Sequence, residues 1–298
     1  MMLDIKDLEK YKKEFNLIEN KRYGEERALY GLNKTLLNNI RIEGEEDGES
    51  ALKECKKVIL LSSFLDLRYP LWHDEDLLIK DTILSINTRA SLWYSKNIVI
   101  KDSKLLGIKG IRECEDIVLE NLEISSNEFG WKSSNIKGSN LTIEGEYLFF
   151  EGNNIKLDNI NFKGKYSFQY INNLEINNSI LDTKDAFWHT NNVIVRNSVI
   201  KGEYLGWYSN NLTFINCKII GTQPLCYANN LKLINCEMID TDLSFEYSDV
   251  DASINGDIES IKNVRSGKII MNNGKIKEII KTDDSKYPFD CEITYLSK

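Results

Sequence analysis

Histidine is nearly missing from this chain: there are two in 298 residues, beside six scattered cysteines. So few soft ligands leave little from which to build a zinc site, and no metal-binding residues are assigned. Basic residues are outnumbered, 38 against 46 acidic, for a net charge of -8. A protein that tracks a nucleic-acid backbone needs a basic face, so nucleic acid is excluded as a partner. No apolar run approaches the roughly 18 residues of a membrane span, so no membrane partner is expected. The opening residues MMLDIKD lack the basic-then-apolar layout of a secretory signal. A reducing cytoplasm is the expected location, with the cysteines as free thiols.

Two residue types are in surplus instead. The chain holds 32 Asn and 37 Ile, each about a tenth of it against a few per cent in average composition. A turn-former and a β-branched residue in such excess imply many short strands joined by many similar turns. The sequence repeats accordingly. NIKLDNINF from Asn154, NLEINNSIL from Asn173, NVIVRNSVI from Asn192, NLTFINCKI from Asn211 and NLKLINCEM from Asn230 recur with a period of 19. The anchor extends back through Asn135, Asp116 and Asn97 to Asp76 and Lys57, and forward to Asp249 and Lys268. That makes about a dozen coils.

Each place in the repeat forms a row. One place after the anchor stand Ile98, Ile117, Ile136, Ile155, Leu174, Val193 and their successors; eight places after stand Leu105, Ile124, Ile143, Phe162, Leu181, Ile200. Both are expected to be buried, on two short strands of alternating faces. Five places after comes a second Asn row, Asn121 to Asn235, and ten after come Gly107, Gly145, Gly164, Gly202 and Gly221 at corners. One coil cannot bury its apolar side alone, so the fold implied is all-β: a single-stranded parallel β-helix, right-handed because a 19-residue period suits three strands with irregular corners. The coils are assigned to residues 50–282, an N-terminal cap and entry segment to 1–49, and a C-terminal cap to 283–298. Stacked Asn amides at the corners have a structural role, bonding to their coil neighbours and tolerating left-handed angles. Cys217 and Cys236 fall on adjacent coils, read as side-by-side buried thiols over a disulfide.

The strand before the anchor is the one that could carry chemistry. All five tryptophans lie four places before it, in the row Trp72, Trp93, Arg112, Trp131, Phe150, Gln169, Trp188, Trp207. Small residues stand two places before, so alternation predicts that the tryptophans face the core rather than offer a sugar platform. The other parity then faces outward. Three places before the anchor run His73, Tyr94, Glu113, Lys132, Glu151, Tyr170, His189, Tyr208 and Tyr227; seven places before run Tyr147, Tyr166, Asp185 and Tyr204; between them lie Leu92, Ile111, Phe149, Phe168, Phe187 and Leu225. So aromatic an outward face is expected to be covered by a ligand, a partner or a terminus of the chain.

Spacing sorts the candidates. Residues 19 apart are neighbours in space, which puts Lys132 between Glu113 and Glu151, His189 between Tyr170 and Tyr208, and Asp185 between Tyr166 and Tyr204. Asp185 and His189, four apart on one strand, are about 13 Å apart, and the two histidines about 29 Å apart, so neither pair cooperates. Proton abstraction at a uronate carbon by His189 or Lys132 is one chemistry, as in lyases and epimerases. Glycoside hydrolysis by Glu113 and Glu151 is another, although two coils separate them by about 10 Å, the far edge of the working range. The candidate catalytic residues are thus His189, Lys132, Glu151, Glu113 and Asp185, and the candidate ligand contacts Tyr147, Tyr166, Tyr170, Tyr204, Tyr208 and His73. Against these stands a purely structural use as alternating-charge ladders and packed rings.

RYGEERALYGL from Arg22, EDGESALKE from Glu46, LRYPLWH from Leu67, EFGW from Glu128, GKYSFQY from Gly164, TKDAFWH from Thr183, KGEYLGWYS from Lys201 and GTQPLCY from Gly221 together resemble the microbial family known as domain of unknown function 3737. The resemblance implies a pectin-lyase-like right-handed β-helix and carries no activity or catalytic residues with it. The expected function is binding or processing of an oligosaccharide or other small sugar-containing ligand, with no cofactor assigned and a divalent cation left open. The alternative is a non-enzymatic interaction scaffold, or a homodimer, using the same face.

Overall fold

In the computed structural model the described residues are 2–45 and 48–296. Glu46 and Asp47 of the acidic entry run, and Ser297 and Lys298 of the C-terminal segment, lie outside them. The chain is an all-β parallel β-solenoid of about 14 turns set about 19 residues apart. It divides into two compact units, Met1–Ile155 and Lys156–Lys298.

In the first unit, strands Asn16–Glu19, Asn33–Asn38, Lys56–Leu61, Glu75–Lys80 and Lys96–Lys101 stack in parallel. Their register sets Leu17 against Leu36, Leu36 against Ile59, Ile59 against Leu78 and Leu78 against Val99. Ladder pairing therefore starts at Asn16, inside the segment assigned from sequence to a cap and entry. These early coils keep the second corner, where Asn39 Nδ2 donates to Asn20 Oδ1 at 2.7 Å, but carry Lys34 and Lys57 in place of the anchor Asn. Their step is also uneven, longer from Leu36 to Ile59 than from Leu17 to Leu36, which hides them from a search at one fixed period.

The interior rows sit where the 19-residue repeat places them: Ile98, Ile117 and Ile136 are at most 1% exposed. Alternation turns Leu36, Ile59, Leu78 and Val99 the other way, out of the coil. The helix α1 (Leu8–Glu14) lies across them, burying Tyr11 and Leu3 and half-burying Met2, Ile5, Leu8 and Phe15. The helix thus covers a flank of the sheet. The cause is legible in one row. Two places after the anchor the side chains are apolar from Leu36 to Val118 and turn to Lys137 and Lys156 thereafter. Truncating Tyr11 to alanine is expected to lower stability by about 2 kcal/mol through lost burial, read as a fall in the urea midpoint.

In the second unit, Asn172–Asn177, Asn191–Arg196 and Asn210–Ile215 pair in parallel with Leu174, Val193 and Leu212 in register. Leu181, Ile200 and Ile219 form the second interior row, all fully buried. The coil step shortens between Asp249 and Ser266, then lengthens between Gly267 and Cys291.

Each corner Asn has φ near +55°, as in Asn197 at 50° and Asn211 at 55°. A left-handed residue turns its N–H along the solenoid axis, and these donate forward: Asn197 to the Ile215 carbonyl and Asn211 to that of Asn229, both at 3.0 Å. The side-chain amides donate along the axis too, Asn140 to Asn121 at 2.9 Å in the first unit and Asn235 to Asn216 at 2.8 Å in the second. Asn serves here because its short amide tolerates αL and bonds its neighbour. Gly202 marks a tighter corner, with φ 154°, where a Cβ would collide with the Thr183 carbonyl oxygen.

The third side of the coil departs from the alternation read in the sequence. Leu92, Ile111, Phe149, Phe168, Phe187 and Leu225, expected to point outward, are each fully buried. The tryptophans, expected inside, are half-buried. This side is mostly turn, and every second residue is left-handed: Tyr166, Phe168 and Tyr170 have φ of 59°, 58° and 56°, and Asp185, Phe187 and His189 have 53°, 62° and 54°. Period-two alternation belongs to extended backbone, and residues that switch hand at every second position do not follow it.

Candidate functional site

The left-handed turn backbone is held by the next coil, and so it positions the side chains on it. Tyr170 N–H donates to the Trp188 carbonyl (2.9 Å), His189 N–H to that of Trp207 (3.0 Å) and Tyr227 N–H to that of Glu246 (2.7 Å). Bulky residues rarely accept a left-handed backbone; here the axial bonds offset that cost. The row four places before the anchor adds a second set of ties. Trp188 Nε1 donates to the Tyr204 carbonyl at 2.6 Å, Trp207 Nε1 to that of Gln223 at 2.8 Å, and Gln169 Nε2 to that of Asp185 at 2.8 Å. Gln169 substitutes for tryptophan because the tie needs an N–H donor of sufficient reach. The tryptophans are neither core filling nor sugar platform but clamps between coils.

In the second unit the exposed row forms a continuous ring stack. His189 lies between Tyr170 at 4.8 Å (11° between planes) and Tyr208 at 4.9 Å (8°), and Tyr208 stacks on Tyr227 at 4.8 Å (13°). The sequence placed these rings beside one another correctly. The facing sides of these rings cover one another, which leaves their phenol and imidazole edges along the strip, one per coil. Tyr170 and Tyr208 are 47% and 43% exposed. Burial, with Glu246 beside it, pushes the Tyr227 hydroxyl up to about 12. Beside the rings runs a second row that the sequence reading passed over, Asn172, Asn191, Asn210 and Asn229, all but Asn191 clearly exposed. Asn229 Nδ2 donates to Asn210 Oδ1 at 2.9 Å. Position one place before the anchor was the available signal, masked by the more conspicuous anchor Asn.

The strip ends at Tyr247, whose ring meets Tyr287 edge-on at 5.6 Å, while Lys286 N–H donates to the Tyr247 hydroxyl at 3.3 Å. Arg265 lies over Tyr287 at 5.8 Å and donates to Asn229 Oδ1 at 2.7 Å. The C-terminal segment thus crosses the aromatic side at one end.

Asp185 lies seven places before its anchor and is 7% exposed; burial raises its carboxyl above the usual range, against the pull of Lys184 and Lys165. No hydrogen bond joins it to His189 among the described residues. Lys184 is paired with Glu203 at 2.9 Å and lies over Tyr204 at 5.3 Å, and Lys165 lies over Tyr166 at 5.4 Å.

In the first unit the candidates separate. Lys132 reaches Glu151 at 3.7 Å. Glu113 instead accepts from Trp93 Nε1 at 3.2 Å and sits 3.9 Å from Arg112. Arg112 is held between Trp93 and Trp131 at 5.0 and 4.8 Å, with Glu128 at 3.4 Å. Each carboxylate therefore has its own cation. His73 stacks on Tyr94 at 5.1 Å, and Tyr147 packs edge-on against Trp131 at 6.0 Å. Among the described residues no cluster of three or more His, Cys, Asp or Glu could hold a metal ion. Cys217 and Cys236 are free, buried thiols. Among the described residues no helix is long and apolar enough to cross a membrane.

A family model described as protein of unknown function DUF3737 matches residues 16–294. The chain belongs to the DUF3737 family. Comparison with curated proteins gave no match. Among solved structures, this family member is similar to the tailspike protein of E. coli bacteriophage HK620 in complex with pentasaccharide, at 10% identity and a TM-score of 0.51, over 95% of this chain and 74% of that one. A mutant of that tailspike, also with pentasaccharide, matches at 9% identity and the same TM-score, over 94% and 70%. Likeness at this level of identity concerns the β-helix fold.

Proposed function

We propose that this protein binds an oligosaccharide along the edge of the Tyr170–His189–Tyr208–Tyr227 stack. The observation that carries the reading is the spacing of that edge. It offers one hydrogen-bonding side chain per coil, on rings whose centroids follow one another at 4.8 to 4.9 Å, close to the length of one sugar ring in an extended chain. Phenol and amide groups donate and accept, as sugar hydroxyls do. The tailspike neighbours, solved in complex with a pentasaccharide, support the reading by fold alone. Binding is proposed rather than catalysis. Glu113, Glu151 and Lys132 are engaged by neighbours, and Asp185 and His189 stand apart.

Tyr208→Ala removes the central rung and is expected to weaken glycan binding at least tenfold. The test is calorimetric titration with a panel of oligosaccharides, alongside His189→Ala. Lys132→Ala, in the other unit, should leave affinity unchanged. If no panel member binds the wild-type chain, and light scattering shows a dimer that Tyr208→Ala dissociates, the face is a protein interface and the glycan reading falls.

A further inference from the structure

The strip has a charge character that narrows its ligand. Through four coils of the second unit, the ring row and the amide row beside it contain no carboxylate, ammonium or guanidinium. Three of the cations beside the strip have acceptor partners, while Lys286 lies over Tyr287 at 5.2 Å. Lys184 is tied to Glu203 and Lys262 to Glu246, each at 2.9 Å. Arg265 is bonded to Asn229 and covers Tyr287.

Resting on the glycan-binding reading, we infer that the ligand class is a short neutral oligosaccharide, not a uronate or other polyanionic glycan. A polyanion is recognised by cations free to form charge-assisted bonds along its length. Here Lys184, Lys262 and Arg265 would each first have to leave a carboxylate or amide partner. The chain's net charge of -8 further opposes the approach of a polyanion. A neutral chain meets the opposite situation: its hydroxyls face phenol and amide groups, which both donate and accept. The ring faces are occupied by one another, so recognition runs through hydroxyl orientation rather than through stacking. The Tyr247–Tyr287 contact closes one end of the strip, which favours a short ligand over a polymer threading past.

The experiment titrates the full chain with neutral oligosaccharides (xylo-, cello-, manno- and maltooligomers) and acidic ones (oligogalacturonates and alginate oligomers), each at low and high salt. A neutral series should bind with affinity unchanged by salt, and Tyr208→Phe, which keeps the stack and removes one hydroxyl, should cost up to about tenfold. Asn210→Lys should gain acidic oligomers that the wild-type chain ignores. Binding confined to acidic oligomers and lost at high salt would overturn the neutral class while leaving the glycan reading in place. Binding of nothing in either series would remove both.

Discussion

Replacing Asp74 with serine is expected to stabilise the protein at pH 8 by on the order of 5 kcal/mol. Asp74 is 1% exposed and stands two places before its anchor, in a row that elsewhere carries Ser95, Cys114 and Ser133. That row has a repeating bond: Cys114 N–H donates to Ser133 Oγ at 3.1 Å, and Ser133 Oγ donates to its own coil's Trp131 carbonyl at 3.2 Å. Asp74 fills the acceptor half through Oδ1, which takes Cys55 N–H at 2.6 Å, but its Oδ2 is buried without a partner. Burial pushes its carboxyl up to about 8 from 3.8. A carboxyl raised in the folded state binds its proton more tightly there than in the unfolded chain. Stability is therefore lost as pH rises from about 4 towards 8, and above that range the loss is constant. Serine restores both halves of the bond and carries no charge. Melting curves from pH 4 to 9 should show the wild type falling with pH and Asp74→Ser nearly flat, the two meeting near pH 4. Parallel curves would mean that Asp74 is not the titrating group.

Phe187→Ala is expected to cost about 3 to 5 kcal/mol, the range for emptying a large core site. Phe187 is fully buried, stacked on Phe168 at 5.3 Å and edge-on to Phe214 at 6.2 Å. It is also the middle left-handed residue of the turn that displays Asp185 and His189, so its loss should loosen the ring stack along with the core. Equilibrium urea unfolding measures the first effect, and oligosaccharide affinity measures the second. Phe187→Leu should lose less than half as much stability. A cost below about 1 kcal/mol would show that the site collapses without penalty and that this row is not the core of the third side.

Much of the fold could be read in the sequence because the solenoid repeats its chemistry at a fixed step. Ile98, Ile117 and Ile136 share one environment, so their sameness is visible without coordinates. The neighbours of His189 followed from the same step. Three features escaped for physical reasons. The inward Phe168 and Phe187 were assigned outward because side-chain alternation presumes extended backbone, and nothing in the residue types announced left-handed angles at Tyr, Phe and His. The path of α1 escaped because the apolar stretch Leu36, Ile59, Leu78 and Val99 stands outside the two rows that the repeat marks as interior, and only its conversion to Lys137 and Lys156 marks where the covered flank ends. Glu113 was paired with Lys132 by row, but Arg112 competes for it, and a row rule sees only residues at the same place in each coil.

The axial bonds of the left-handed residues have a consequence for how such a chain can change length. Each such N–H bonds a carbonyl of an adjacent coil, those of His189 and Asn211 in the coil ahead and those of Phe187 and Leu225 in the coil behind, so the second unit has a frame measured in residues. Asn191 faces Asn210 and Val193 faces Leu212, each one full repeat further along the chain. Excision or duplication of one whole repeat there returns every ring to a ring and every amide to an amide. A deletion one residue short of a repeat would set tryptophan against phenylalanine and solvent-facing tyrosine against a buried core. Changes of length in this region are therefore expected to be tolerated in whole coils, and the number of rungs on the ring strip is a quantity that a single duplication can raise by one.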